Sequence, residues 1–215
     1  MQGALILKNK LEILKYWYEM MIVDHGFLRL LYNNFHKIDD KMYRSNMPTP
    51  QRIKKYKNLG IKTIINLRGG KKDGGWFLEK KACEQNGLEL VNLVARSRAA
   101  PDKNMIFKAN AIFKSIKYPA LIHCKSGADR AGIIAFLFKI LKCKENPEIA
   151  KKQLSLKYLH IKHAKTGILD AFCDLYIKYY KTNKDADFIY WTRNIYKPED
   201  LKASFTANKF FEKIV

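Results

Sequence analysis

The sequence predicts an α/β protein: a central, mostly parallel sheet flanked by helices, with helical extensions at its N- and C-terminal ends. Three observations predict it. Between residues 41 and 145, short β-branched or apolar runs alternate with stretches of helical periodicity, the pattern of strands joined by crossover helices. One of those runs, Ala120-Leu121-Ile122-His123, feeds a short polar loop and then the strongly apolar segment 131–141. The two ends carry helical patterns without a Pro-, Gly- or Ser-rich linker.

In chain order, Leu5, Ile6, Leu11, Ile13, Leu14, Trp17, Tyr18, Met20 and Met21 give a broad helical apolar face. Asp24, His25 and Gly26 interrupt it, and Phe27 to Phe35 resumes a helix-like pattern. Met42-Tyr43-Arg44 reads as a short strand. Thr49-Pro50 opens a helix that ends at Gly60. Residues 62–67 form a β-branched strand, 76–85 a helix stopped by Asn86-Gly87, and 88–93 an alternating strand. A polar loop from Arg96 to Pro101 precedes a helix over 102–117. Beyond 147 the pattern is helical and aromatic, with helices expected over 168–180 and 186–196. This divides the chain into an N-terminal helical segment (1–40), a body (41–180) and a C-terminal helical extension (181–215).

Composition narrows the function. With 215 residues, 47% apolar and 13% aromatic, the chain has enough material for a core, which excludes a disordered or collagenous protein. The net charge of +21 points to an anionic partner: phosphate esters, nucleic acid or an anionic membrane surface. Only eight of the 41 basic residues are Arg, so a solvated Lys-rich surface accounts for part of this excess. Aromatics are abundant but form no RNP-like stretch, and no specific nucleic-acid partner is expected. Cys83, Cys124, Cys143 and Cys173 show no CxxC pairing, so neither a zinc site nor any other cofactor is expected. Residues 4–23 carry Lys8, Lys10, Glu12, Lys15 and Glu19, too much charge for a spanning helix. The reading is a cytoplasmic protein with free thiols, whose first helix either packs on the body or lies on an anionic membrane surface.

The informative segment is His123-Cys124-Lys125-Ser126-Gly127-Ala128-Asp129-Arg130. A loop between a buried strand and a helix N-terminus can turn its N–H groups around one oxyanion, and the helix end adds partial positive charge there. Gly127 permits the tight backbone. Arg130, in the first helical turn, can grip two phosphate oxygens. The same field acts on Cys124: a free thiol titrates near about 8.5, and such surroundings lower that value. Cys124 is thus a candidate nucleophile forming a phosphocysteine intermediate, with Arg130 and the amides of Lys125, Ser126, Gly127, Ala128, Asp129 and Arg130 neutralising charge in place of a metal.

These residues resemble the His-Cys-x5-Arg signature of the cysteine-dependent protein tyrosine and dual-specificity phosphatase superfamily. Tyr43-Arg44-Ser45-Asn46-Met47-Pro48 resembles the Tyr-Arg-Ser-Gly-Gln-Pro opening of compact bacterial dual-specificity-like phosphatases, and Ile61-Lys-Thr-Ile-Ile-Asn-Leu-Arg-Gly69 resembles their Gly-Ile-Lys-Thr-Val-Ile-Asn-Leu-Arg strand. Gln153-Leu-Ser-Leu and Lys165-Thr-Gly-Ile-Leu-Asp170 are similar to segments of the same proteins, so the likeness covers about residues 40–175. It implies a phosphatase-type sheet, Cys124 as nucleophile, Arg130 as phosphate ligand and His123 as a residue supporting the cysteine, or else simply buried at the strand end.

Two departures stand out. Where that family commonly has Ser or Thr after the arginine, this chain has Ala131. Where it places a general-acid Asp, residues 94–101 contain no carboxylate. Asp129 offers an alternative, since myotubularin-like and Sac-like lipid phosphatases carry an Asp within the loop. It either protonates the leaving group or serves a structural role. Asp102 is the reserve candidate. Arg44, Arg68, Arg96 and Arg98 are candidates for a positive mouth, Arg96 and Arg98 foremost. Cys83, Cys143 and Cys173 are expected to pack as small apolar residues, and His160, Lys162 and His163 to lie on the surface or between helices. The expected activity is metal-independent phosphomonoester hydrolysis on a phosphorylated protein. Inositol phosphates, phosphoinositides and phospholipids are alternative substrates, and a phosphate-binding module that has lost turnover is a further reading.

Overall fold

A computed structural model describes residues 2–183 and 187–205, with side chains described from residue 10 onward. It divides into two compact units, residues 1–92 with 117–125, and residues 93–116 with 126–215.

The first unit holds the sheet. Its five strands are β1 (His36–Lys37), β2 (Met42–Ser45), β3 (Thr63–Asn66), β4 (Glu89–Asn92) and β5 (Ala120–His123), in the order β1-β2-β5-β3-β4. Only β1 runs antiparallel, against β2; the other pairings are parallel. Every residue of β3 and β5 is buried, which is why these strands read as continuous apolar runs rather than alternating ones. The register sets Ser45 and Asn66 on either side of His123, so the polar carboxyl ends of three strands lie abreast.

Local chemistry accounts for the helices of this unit. Helix α3 (Pro50–Asn58) has Thr49 as its N-cap and Pro at its first position. Helix α4 (Gly74–Asn86) is capped by Asp73, which accepts from Trp76 N–H at 3.0 Å. Ile53 and Tyr56 of α3, Ala82 and Cys83 of α4, Ile64 and Leu121 form one core cluster. The N-terminal helix α1 (Gln2–Tyr18) continues as a π-helical turn over Glu19–Val23. Tyr16 stacks on Phe77 at 4.8 Å, Glu19 Oε2 accepts from Gly74 N–H at 2.7 Å, and Met20 is buried. The inner face therefore packs on the body, while Leu11, Leu14, Tyr18, Ile22 and Val23 remain exposed. The helix-like pattern of 27–35 shortens to α2 (Leu28–Leu31), because the chain turns extended at Tyr32 to supply β1.

The second unit is helical: α5 (Lys103–Ser115), α6 (Asp129–Leu141), α7 (Pro147–Lys151), α8 (Ile168–Thr182), α9 (Phe188–Asn194) and α10 (Pro198–Ser204). Helix α6 is buried almost all round, consistent with its unbroken apolar sequence. Phe172, Tyr176, Phe188, Trp191 and Tyr196 pack as an aromatic cluster, and Tyr196 donates its hydroxyl to Pro101 O at 2.8 Å. The helix expected from 186 begins at Phe188; Ala186 lies outside the described residues.

Candidate active site

Strand β5 ends at His123 and α6 begins at Asp129, so the signature residues form the connection predicted from sequence. Cys124 and Lys125 belong to the first unit and Ser126 to Arg130 to the second.

On the strand side, Cys124 is 2% exposed. His123 is fully buried, its Nε2 2.5 Å from Glu79 Oε1, and Glu79 is equally buried. The other Glu79 oxygen accepts from Asn66 Nδ2 at 2.5 Å, and Asn66 Oδ1 accepts from Arg68 N–H at 2.7 Å. A polar chain from Asn66 through Glu79 to His123 thus underlies the strand end that carries Cys124. Burying such groups is costly, and here His123 Nε2 and Glu79 Oε1 are close without meeting hydrogen-bond geometry. Glu79 had no signal in the sequence beyond its place in a helical pattern. Lys125 O accepts from Met47 N–H at 3.3 Å, which ties the segment after β2 to the loop.

Asp24 is a further carboxylate beside Lys125. It lies 3.3 Å from Lys125 Nζ, 2.8 Å from Arg68 and 3.1 Å from Arg29. Burial works against its charge, but Arg68, Arg29 and Lys125 outweigh that and hold its carboxyl below the usual range. Arg68 also pairs with Asp73 at 3.0 Å. Its place as a mouth residue is therefore taken by structural pairing, and Arg44 is fully buried rather than facing solvent.

On the helix side, Gly127 has φ of 78° and Ala128 φ of −86°, a left-handed step that lets successive N–H groups turn to one side. Ala128 N–H donates to Ser126 Oγ at 3.3 Å. Asp129 and Arg130 are part-exposed in the first turn of α6. Ala131 is fully buried. Asp129 Oδ1 lies 2.7 Å from His160 Nδ1, and His160 Nε2 lies 2.6 Å from Asp170 Oδ2. The His160 ring is fully buried, so this histidine is an internal bridge between two elements rather than a surface group. Burial disfavours its charge, but the two carboxylates more than compensate and raise its pKa to about 9. Asp102 is the N-cap of α5, accepting from Met105 N–H at 2.8 Å. Arg96 and Arg98 are exposed in the loop before α5.

Burial pushes the Cys83 and Cys173 thiols up, so both pack as apolar groups; Cys143 is partly exposed. Among the described residues, no three His, Cys, Asp or Glu side chains are grouped so that they could hold a metal ion.

A family model described as DSP-PTPase phosphatase fused to NAD+ kinase matches residues 33–166. The inositol diphosphatase DSP3 of Arabidopsis thaliana is 28% identical over 109 residues, 47% of this chain and 51% of that protein. The chain thus matches about half the length of this curated relative. Among solved structures, P. aeruginosa TpbA superposes with a TM-score of 0.55 at 18% identity, covering 66% of this chain and 84% of that one. A TpbA variant in complex with pTyr gives 0.52 at 16% identity, covering 67% and 90%. A phosphatase-like structure from Shewanella putrefaciens CN-32 gives 0.52 at 18% identity, covering 66% and 87%. At these identities the structures bear on the fold.

Proposed function

The chain belongs to the DSP-PTPase phosphatase family, and from that premise we propose that it hydrolyses phosphomonoesters through a phosphocysteine intermediate, without a metal. One observation carries this reading: a buried cysteine at the end of the central strand β5 runs through a left-handed glycine loop into the arginine-bearing first turn of an apolar helix.

In this proposal the Cys124 thiolate attacks phosphorus in line. The S–P bond forms as the O–P bond to the leaving group breaks. Arg130 and the amides of Lys125 to Arg130 hold the three non-bridging oxygens. Asp129 gives the departing oxygen its proton and later takes one from the attacking water. His123, backed by Glu79, fixes the strand end from which Cys124 projects. Arg96 and Arg98 widen the field at the mouth. Ala131 offers no hydroxyl to the departing thiolate, so the second step is the slower one.

A phosphorylated protein is the substrate this reading favours, and the likeness to a structure solved with pTyr supports it. A second reading, an inositol-based phosphate, draws support from the match to an inositol diphosphatase and from the +21 charge. The exposed Leu11, Leu14 and Tyr18 beside exposed Lys10 and Lys15 support peripheral contact with an anionic membrane.

The test is hydrolysis of an aryl phosphate in chelator, wild type beside Cys124→Ser, following phosphate release and trapped phosphoenzyme. Wild-type release is expected, with a drop on the order of 10⁴-fold or more in the variant. Equal release by both would remove Cys124 from the chemistry. Wild-type adduct that forms without turnover would support the slow second step at Ala131.

A further inference from the structure

His160 is the buried titratable group that the mechanism above leaves unused, and its surroundings are specific. Both ring nitrogens meet carboxylate oxygens, Asp129 Oδ1 at 2.7 Å from α6 and Asp170 Oδ2 at 2.6 Å from α8. A neutral imidazole has one donor and one acceptor nitrogen. Between two carboxylates, its acceptor would face a second acceptor with no proton between them. Two protons across the triad remove that clash, and two of the arrangements they allow leave Asp170 ionised. Both can sit on the ring, or one can sit on Nε2 and the other on the Asp129 carboxyl. The arrangements differ by the movement of one proton along the 2.7 Å contact between Nδ1 and Oδ1.

That equivalence answers a chemical difficulty. An isolated Asp titrates near about 3.9 and is ionised at neutral pH, so it has no proton to give a leaving group. An imidazolium held by two carboxylates retains its proton there. The charged groups acting on this ring are Asp129 and Asp170. On the neighbouring helix α7, Lys151 pairs with Asp174 and Glu148 with Lys181. Cys173, one helical turn from Asp170, has its thiol pushed up by burial.

We propose that His160 is a positioning residue and proton reservoir for Asp129, with Asp170 holding the far side of its ring. As the O–P bond breaks and S–P forms, the proton shared by Nδ1 and Asp129 passes through the Asp129 carboxyl to the departing oxygen, leaving Asp129 ionised and the ring protonated at Nε2 alone. In the second step water forms the new O–P bond and the S–P bond breaks to restore the thiolate. The water proton returns through Asp129 to Nδ1. Atoms and charge balance in each step, and no co-reactant beyond water is needed. The inference rests on the reading of Asp129 given above.

The test compares kcat/KM for phenyl phosphate, a poor leaving group, with that for 2,4-dinitrophenyl phosphate, a good one, in wild type, His160→Gln and Asp170→Asn. The relay predicts a loss of about 10²-fold for His160→Gln on the phenyl ester. The dinitrophenyl ester, which needs no proton, should change no more than a few-fold. Asp170→Asn keeps the ring but weakens its hold on the proton, so the alkaline limb of its kcat profile should move to lower pH. In parallel, ¹⁵N spectra of the imidazole and ¹³C spectra of the Asp129 carboxyl should together show two protons across Nδ1, Nε2 and Asp129 at pH 7 in wild type. Equal losses on both esters, with an unmoved alkaline limb in Asp170→Asn, would reduce His160 to a structural bridge and overturn the relay. A ring with one bare nitrogen beside an ionised Asp129 carboxylate at pH 7 would overturn it independently of activity. Wild type inactive on both esters would instead strike the phosphatase reading, and the relay with it.

Discussion

A histidine held between two carboxylates couples folding to pH. The His160 pKa in the folded chain is about 9 against an ordinary value of 6.5. The folded state therefore binds this proton more tightly than the unfolded state does. The resulting stabilisation is complete below about pH 6.5 and is lost as pH rises through about 9. Thermal midpoints measured from pH 6 to 10 should fall across that window in wild type and fall less steeply in His160→Gln. Parallel curves would mean that the pair contributes nothing to stability. Glu79 and His123 form the comparable buried pair on the strand side. Removing one member leaves a buried polar group of the other without its neighbour, which costs about 1–3 kcal/mol. A carboxylate-to-alanine change there damages stability as well as the site.

Among the elements, α6 is closely packed at one glycine. A Cβ placed on Gly132 would stand 2.6 Å from Leu154 Cδ2 and 3.0 Å from the Gln153 carbonyl oxygen. The side chain can move, but the backbone of the turn after α7 moves less readily. Gly132→Ala should destabilise the chain by about 1–3 kcal/mol through overpacking, measurable as a lower denaturant midpoint with unchanged slope. A neutral result would show that this turn yields. The change lies two residues beyond Arg130 in the same helix, so its kinetic effect is expected in KM for the aryl phosphate. The N-terminal element is fastened differently. Asp24 with Arg29, Arg68 and Lys125, and Glu19 with the Gly74 amide, anchor it by charge and hydrogen bonding beside a modest apolar contact.

For the whole molecule the excess of positive charge dominates. A net charge of +21 on 215 residues attracts polyanions of many kinds. What separates a membrane from other anions is the exposed apolar row of α1 beside its lysines. Cosedimentation with vesicles containing anionic lipid should exceed that with neutral vesicles and weaken with salt. Leu11→Asp with Leu14→Asp should reduce it while leaving aryl phosphate hydrolysis unchanged. Binding that ignores both substitutions would assign the effect to charge alone.

The strand–loop–helix of 120–141, the caps at Thr49 and Asp102 and the sheet-forming runs were legible in the chain because each depends on neighbours a few residues away. Periodicity, capping residues and the glycine at 127 record local backbone requirements, and Cys124 and Arg130 sit within one such segment. The partners of that segment were not legible. His160 reaches Asp129 across 31 residues, and Arg68 reaches Asp24 across 44. Glu79 meets the strand residue His123 from helix α4. The two-residue strand β1 was likewise hidden, since its pairing with β2 overrides a helix-like pattern upstream. Such contacts arise from how strands and helices are laid side by side, and a buried His, Asp or Glu leaves no periodic trace. The local chain thus specifies the loop and the identity of its nucleophile candidate, while packing specifies which distant charged groups stand behind it.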